Sequence, residues 1–480
     1  MISLGIALPA TRAQDADALR ERFARADQDP VFRHWGRLDE RGRERLARQA
    51  AGVDLEAVAA ARERLAAGDH SPGALAPAPV ERLPEHGGDA VLRDRAAARG
   101  EEMLAAGAVA PLLVAGGDGT RLGFDGPKGT FPLGPLSGRS LFEILAQKVR
   151  GARRRSGRAL PWCVMTSEGT DAAIRAFFRR HASFGLPEED VLFFTQASSP
   201  CLDRNGRILL AAPDRIATSP SGHGGVIPAL VDSGLLDRLE ERGIRWLSTF
   251  QVDNPLVQVA DPVYLGLHAL RDAEMSCKVV AKRTPGERAG SVARTGGGVR
   301  VVEYSEIAPA QRDAREPSGE LRLWAASIGM HVLDTAFVRR VAARAAEALP
   351  WHLALKRIPC IAEDGSRLHP TEPNGYKLER FVFDALAATD RTALLEVRRE
   401  EEYSPVKNPE GGESPATARR DLAACYARWL AAAGRAPSPA DAAVELDHAW
   451  IDGPDDAREL ARDPLVPWTD ATRTTTGVTA

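Results

Sequence analysis

The sequence predicts an α/β fold built on a largely parallel sheet with helices on both faces. Three observations carry this: short apolar runs bounded by turn residues, helix-period segments between them, and a glycine-rich turn closing the first run. The runs are PLLVAG, PWCVMTS, DVLFFTQ, IRWLSTFQVDN and MSCKVVAK. Between the first four lie SLFEILAQKVRGA, TDAAIRAFFRRHA and VIPALVDSGLLDRLEERG, which read as helices. Alternation of this kind gives a parallel sheet, because each crossover helix covers one of its faces.

The elements follow in order along the chain. From about residue 14 to 68, DADALRERFARA and DLEAVAAARERLAAG have the spacing of amphipathic helices. SPGALAPAPVERLPEHGG then concentrates Pro and Gly and reads as a linker rather than a packed element. The alternating pattern begins near Asp89. CLDRNGRILL reads as a hairpin turning at Asn205-Gly206, inserted at the mouth of the sheet. The basic run Arg150 to Arg158 reads as a solvated helix end with no function of its own. Glu303 and Tyr304 fall on an expected strand, and LRLWAASIGMHVL is another. After about Val397 the chain becomes loop-rich, turns helical through ATARRDLAACYARWLAAAG, and ends in a polar tail.

Bulk properties exclude several classes. A chain of 480 residues has room for two or three domains and a large core. Hydrophobic content of 44% and charged content of 27% are ordinary for a globular protein. A net charge of −3 gives no electrostatic reason to expect nucleic acid or an anionic membrane as partner. No apolar run approaches the ~20 residues of a membrane span. The opening MISLGIALPATR lacks a basic stretch before its apolar run, which argues against a signal peptide. The five cysteines lie far apart with neither zinc nor redox spacing, so cytoplasm is the expected compartment.

Chemistry is written most densely in LLVAGGDGTRLGFDGPKGTFPL, residues 112–133. An apolar run ends at Ala115 and gives way to Gly116, Gly117 and Gly119, with Arg121 and Lys128 close behind. Glycine lets other groups approach the backbone N–H donors. Successive exposed donors form an anion-binding concavity that two cations strengthen. The expectation is polyphosphate binding at the C-terminal edge of a sheet. Two familiar phosphate loops are excluded. Lys128 follows Pro127 and is not followed by Ser or Thr, and Leu122 stands where a dinucleotide fingerprint needs its third glycine.

VAGGDGTRLGFDGPKG resembles the signature loop of the nucleotide-sugar pyrophosphorylases that use UTP. Within them the likeness is to eukaryotic-type UDP-N-acetylglucosamine pyrophosphorylases. It continues in order through MTSEGT, FFTQ, SPSGHGGV, FQVDNPLVQVADP, VVEYSEI, EPNGYKLERFVFD and EEYSPVKN, from about Val109 to Arg420. So many ordered motifs are far more specific than any one alone. The resemblance implies a Rossmann-like central domain with a mostly parallel mixed sheet at 89–396. A helical N-terminal region and linker at 1–88 and a small C-terminal domain at 397–480 would flank it. It also implies a Mg²⁺-dependent uridylyltransferase joining UTP and a sugar 1-phosphate into a UDP-sugar and pyrophosphate.

Site residues follow one by one. Ala115, Gly116, Gly117 and Gly119 would cradle the nucleotide, while Arg121 and Lys128 face the β- and γ-phosphates, where pyrophosphate gathers charge. Asp253 ends the strand IRWLSTFQVD, so its carboxylate should emerge beside the glycine loop as a hard oxygen ligand for Mg²⁺. Lys377 and Lys407 match the family's late phosphate-contacting lysines. Gln196 and Gly222 match the base site, where an amide offers both donor and acceptor to the uracil edge. Gly290, Glu303, Tyr304 and position 223 match the sugar site.

Two positions depart from the N-acetylglucosamine pattern. His223 stands where those enzymes carry Asn, as in members that use glucose 1-phosphate, and Ser327 stands where the family presents another Asn. Both lie on the sugar side, so N-acetylglucosamine 1-phosphate leads on whole-chain likeness. Glucose 1-phosphate or a broader sugar range is the alternative. A catalytically silent sensor of nucleotide sugars is the reading from another class, and the presence of Arg121, Lys128 and Asp253 speaks against it. A monomer or weak homo-oligomer is expected.

Overall fold

The strand Val109–Val114 is buried along nearly its whole length, as a strand covered by helices on both faces must be. It stands near the middle of the sheet in a computed structural model that describes residues 13–67, 73–435, 444–462 and 472–474. By packing, these fall into two units. One takes in residues 13–67, Ala197–Gly225 and Leu349–Phe381; the other takes in 73–196, Val226–Ala348 and the described residues from 382 onward. The opening MISLGIALPATR lies outside the described residues.

The larger unit is built on a sheet of ten strands. In chain order they are β1 (Ala76–Pro77), β2 (Val109–Val114), β3 (Trp162–Ser167), β4 (Val191–Gln196), β5 (Trp246–Gln251), β6 (Met275–Ala281), β7 (Ser291–Thr295), β8 (Gly298–Val302), β9 (Ala325–Asp334) and β10 (Thr392–Glu396). β4, β3, β2 and β5 run parallel, each beside the next. β9 pairs antiparallel with β5 and with β6, and β10 runs parallel to β6. The result is a mixed, mostly parallel sheet, as the alternation of elements demanded. Each of the five expected strands is present. The helices Leu141–Ser156 and Asp171–Arg180 also form as expected. The third expected helix is two, Val226–Asp232 and Leu235–Glu241, broken where Gly234 turns left-handed at φ 68°.

Close approach fixes one helix pair. Helices Ala90–Ala105 and Pro262–Leu270 meet backbone to backbone: a Cβ on Gly100 would lie 1.9 Å from the Pro262 carbonyl oxygen, and one on Gly266 1.7 Å from that of Ala96. No side chain fits there.

Three expectations are corrected in this unit. The Pro/Gly-rich segment is not a linker over its described part. β1 pairs with β7, Glu81 bridges to Leu395, and Leu75, Ala78 and Leu83 are buried. Proline cannot donate to a ladder, so a Pro-rich segment suits the rim of a sheet, and composition alone does not separate rim from linker. The basic run is not a solvated helix end. Arg153 pairs with Asp190 at 2.8 Å, and Arg155 pairs with Asp456 at 2.8 Å. Glu303 and Tyr304 stand in the turn just beyond β8 rather than on a strand.

The smaller unit packs the helices Ala13–Arg25, Glu40–Ala51 and Leu55–Ala67 through Phe23, Leu46 and Val58, among others, in a core shared with Leu202, Ile208, Ile216 and Leu378. Its three-stranded sheet joins Leu202–Asp203, Gly375–Glu379 and His352–Lys356. The expected hairpin turns at Asn205-Gly206, with the Asp203 N–H donating to the Arg207 carbonyl at 2.7 Å. It belongs to this small sheet. Packing thus groups the chain discontinuously, where the sequence suggested the linear division 1–88, 89–396 and 397–480. Helix Pro415–Ala432 puts Leu422, Tyr426 and Trp429 into the same core as Val109, Leu113 and Phe142.

Candidate active site

The glycine turn leaves β2 at the edge where the parallel strands end. Its Ala115 N–H still donates to the Met165 carbonyl at 2.9 Å, and the Ser167 hydroxyl donates to the Gly116 carbonyl at 2.8 Å. A Cβ on Gly116 would lie 2.4 Å from Nε2 of Gln196, so glycine is needed for the buried amide at the end of β4 to reach the turn. The turn closes on itself: the Gly119 N–H donates to Gly126 at 2.8 Å and the Lys128 N–H to Gly117 at 3.1 Å. Among the described residues, the N–H groups of Gly117 and Asp118 meet no acceptor within the fold, and both residues are exposed. Arg121 is exposed on the next turn and makes no ion pair among the described residues.

β5 lies beside β2 with Gln251 opposite Val114, which carries Asp253 to the mouth of the same turn. Oδ2 of Asp253 is 3.5 Å from Nζ of Lys128, and both side chains are mostly buried. The segment 403–408 is tied to this strand end. The Val406 N–H donates to the Asp253 carbonyl at 2.8 Å. The buried Asn254 amide donates to the Glu402 carbonyl at 2.7 Å and accepts from the Ser404 N–H at 3.1 Å. Lys407 thereby sits near Asp253 and donates to the Tyr403 hydroxyl at 3.2 Å and to Glu413 at 3.4 Å. Burial pushes its pKa down, but Tyr403, Asp253 and Glu413 outweigh burial and raise it. Lys407 therefore keeps its charge at neutral pH. Sequence reasoning singled out Lys407 but not its neighbours Asn254 and Tyr403; each stands within a quoted motif.

Gly290, Glu303 and Ser327 come together on the same unit. The Ser327 N–H donates to the Gly290 carbonyl at 2.9 Å, and a Cβ on Gly290 would lie 2.5 Å from Val301 and 3.5 Å from a Glu303 carboxylate oxygen. The Ser327 hydroxyl accepts from the Gly329 N–H at 3.3 Å and lies 3.5 Å from the Cys277 thiol. Tyr304 is 40% exposed on the neighbouring turn.

Gly222, His223 and Lys377 belong to the smaller unit. Gly222 adopts φ 83°, and a Cβ there would lie 2.5 Å from the Arg380 carbonyl oxygen. The backbone at 221–224 is zipped to Arg380: the Arg380 N–H donates to Ser221 and the Gly224 N–H to Arg380, both at 2.7 Å. The His223 ring stacks on Phe381 with centroids 5.1 Å apart, and His352 stacks on the same ring at 4.3 Å. Phe381 is the feature that sequence reasoning passed over, though it lies inside the quoted ERFVFD. Lys377 stands on the small sheet opposite Ala354. Its charge eases the Cys201 thiol down, against the larger upward push of burial.

Among the described residues, no three His, Cys, Asp or Glu side chains gather as a metal cluster. Asp253 is a single hard oxygen donor beside a cation. No described helix is long and apolar enough to cross a membrane.

Residues 88–411 match the model of a family described as UTP–glucose-1-phosphate uridylyltransferase. The chain is 37% identical over 440 residues to UDP-N-acetylhexosamine pyrophosphorylase-like protein 1 of Xenopus tropicalis, covering 88% of this chain and 86% of that one. It is 34% identical over 450 residues to UDP-N-acetylglucosamine diphosphorylase 2 of Arabidopsis thaliana, covering 89% and 87%. The crystal structure of the uridine diphosphate N-acetylglucosamine pyrophosphorylase of Trypanosoma brucei, solved with an inhibitor, superposes with a TM-score of 0.80. That match has 30% identity and covers 95% of this chain and 98% of the other.

Proposed function

The chain belongs to the UTP–glucose-1-phosphate uridylyltransferase family, and from that premise we propose that it joins UTP and N-acetylglucosamine 1-phosphate into the UDP-sugar and pyrophosphate. One observation carries the reading. The glycine turn, Lys128, Asp253, Gln196 and Lys407 converge where parallel strands of one sheet end. That is where an α/β sheet binds a nucleotide.

The free N–H groups of Gly117 and Asp118 offer donors to the triphosphate, and Arg121 and Lys128 supply countercharge for the leaving β- and γ-phosphates. Lys407, held protonated, offers a cation to the incoming sugar phosphate. An oxygen of that phosphate attacks the α-phosphorus in line, and the bond to the β-phosphate oxygen breaks. The nucleophile is already ionised, so no general base is required, and catalysis is positioning plus charge neutralisation. Asp253 fits a Mg²⁺ carried in on the UTP phosphates, since that ion takes one or two carboxylates and leaves its other positions to phosphate and water. Bound there, the ion would neutralise phosphate charge. The Gln196 amide suits the uracil edge, and Gly290, Glu303 and Ser327 suit the sugar. We place the reaction in the cytoplasm, in keeping with five buried, unpaired cysteines.

A second sugar has a specific observation behind it. Ser327 offers one short hydroxyl, already engaged by Gly329 and close to Cys277, where an asparagine would offer a longer amide. Glucose 1-phosphate is therefore the competing substrate. The test is pyrophosphate release from purified protein with UTP, Mg²⁺ and a panel of sugar 1-phosphates. Release with N-acetylglucosamine 1-phosphate foremost is expected, and no release with any sugar would overturn the reading.

A further inference from the structure

We propose that a cavity backing onto Tyr403 is a second anion site, which takes a free phosphate group, as inorganic phosphate or a small phosphomonoester, and is coupled to Lys407. The coupling rests on the reading of Lys407 given above; the binding does not. The cavity holds about 460 Å³ and is lined by Arg283, Arg288, Arg399 and Arg420 together with Glu287, Tyr403, Glu413 and Asp421. Volume of this order suits a small metabolite, and the charged walls suit an ionic one.

The charges do not cancel. Glu287 pairs with Arg399 at 2.6 Å and also accepts from the Arg283 backbone N–H at 2.8 Å. Asp421 pairs with Arg420 at 2.8 Å and accepts from the Ser404 hydroxyl at 2.7 Å. Glu413 is turned to Lys407 at 3.4 Å. All three carboxylates are thus engaged, while among the described residues the Arg283 and Arg288 guanidinium groups meet no carboxylate. Arg399 adds a buried Nε that meets no acceptor there. Two guanidinium forks flanking one short turn, Arg283 to Arg288, match the tetrahedral oxygens of a phosphate.

Occupancy would reach Lys407 through two walls. Tyr403 receives the Lys407 ammonium hydrogen bond while its ring faces Arg399 at 5.3 Å, and Glu413 is the other partner of Lys407. An anion drawn to the arginines repels Glu413 and so changes what holds Lys407. Coupling of this kind is reciprocal: if phosphate alters sugar-phosphate affinity, sugar phosphate alters phosphate affinity by the same factor.

The experiment uses the full chain, titrated calorimetrically with inorganic phosphate and separately with glycerol phosphate, without turnover. Arg283→Ala plus Arg288→Ala is the variant, since both side chains are exposed on a loop. Saturable binding to the wild type is expected, weakened about tenfold or more in the variant, with UTP affinity equal in both and phosphate retained when UTP saturates. Tighter binding of glycerol phosphate would identify a phosphomonoester as the ligand; preference for the inorganic ion would identify free phosphate. Absence of binding, binding that the variant leaves unchanged, or complete displacement by UTP would overturn the site. Failure of uridylyl transfer would leave these titrations intact, so the two readings fail separately.

Discussion

Lys128 and Asp253 face each other at 3.5 Å with both side chains mostly out of water, which makes each the other's nearest countercharge. Under the proposed reaction, Lys128→Ala removes a cation from where pyrophosphate would gather charge. It should lower kcat/KM by about 2–4 kcal/mol of transition-state stabilisation while the protein stays folded. Unchanged kinetics in a folded variant would return Lys128 to a structural role. Asp253→Asn keeps size and removes charge, so the Mg²⁺ concentration for half-maximal rate should rise steeply; a wild-type Mg²⁺ curve would reassign the carboxylate to holding Lys128. On the same reading, single residues would also decide the sugar. Ser327 has one hydroxyl already engaged, and a site that leaves such a contact to water discriminates by only about 1–3 kcal/mol. Glucose 1-phosphate should therefore be used within ~100-fold of N-acetylglucosamine 1-phosphate. Measuring kcat/KM for both sugars in the wild type and in Ser327→Asn checks this. Exclusive use of one sugar by both proteins would show that position 327 does not set the choice. The sequence singles these candidate residues out because each stands inside an ordered motif. It does not single out Phe381, which stacks on His223, because an aromatic side chain in a motif reads equally well as core.

Among the elements, the segment 403–408 shows how a loop is made into part of a site. Asn254 bridges the Glu402 carbonyl just before that segment and the Ser404 N–H within it, and Asp253 takes the Val406 N–H through its carbonyl. Burying an amide is costly unless donor and acceptor are both satisfied, and here both are. Asn254→Ala leaves the Glu402 carbonyl and the Ser404 N–H unpartnered and frees Lys407 to drift from Asp253. The expected outcome is a fall in kcat of tenfold or more, by analogy with other positioning contacts, with UTP affinity held. Asn254→Asp, which keeps the acceptor, should recover part of the loss. Equal losses of kcat and of thermal stability in both variants, with no recovery, would mark Asn254 as merely structural. Regular elements with a clear period were readable in advance, the five strands and the Asn205-Gly206 hairpin among them. β1 was not, because an extended proline-rich rim strand has the composition of a linker. The arginines at 153–155 were misjudged for a related reason: their partners Asp190, Asp452 and Asp456 are distant in sequence, and charge runs carry no sign of where their counterions are.

Across the whole molecule, what sequence order could not reveal is that packing ignores it. The smaller unit gathers three separated stretches, and nothing local in Ala197–Gly225 or Leu349–Phe381 says that they leave the main sheet's core. That sheet's core also holds titratable groups kept neutral by burial that only tertiary structure creates. His268 and His331 are fully buried beside Ser276, Nδ1 of each placed by Ser276 (its hydroxyl at 2.7 Å and its carbonyl at 3.2 Å) and Nε2 of each without a hydrogen-bond partner among the described residues. Burial lowers their pKa values from 6.5 to about 3 for His268 and about 4 for His331. Between those values and 6.5 the unfolded chain binds protons that the folded chain refuses. Stability is therefore fully present above about pH 6.5 and is lost as pH falls below it. At pH 5 each histidine would cost on the order of 2 kcal/mol, a large share of the ~5–15 kcal/mol that holds a typical domain. His448, also buried and lowered in pKa, acts in the same direction. The unfolding midpoint should consequently drop between pH 7.5 and pH 5, well above the carboxylate range. His268→Asn removes one titrating group, and whatever its effect at pH 7.5, it should lose less on acidification than the wild type. If the two proteins fall by the same amount between those pH values, the buried imidazole at 268 is not what makes the fold acid-sensitive.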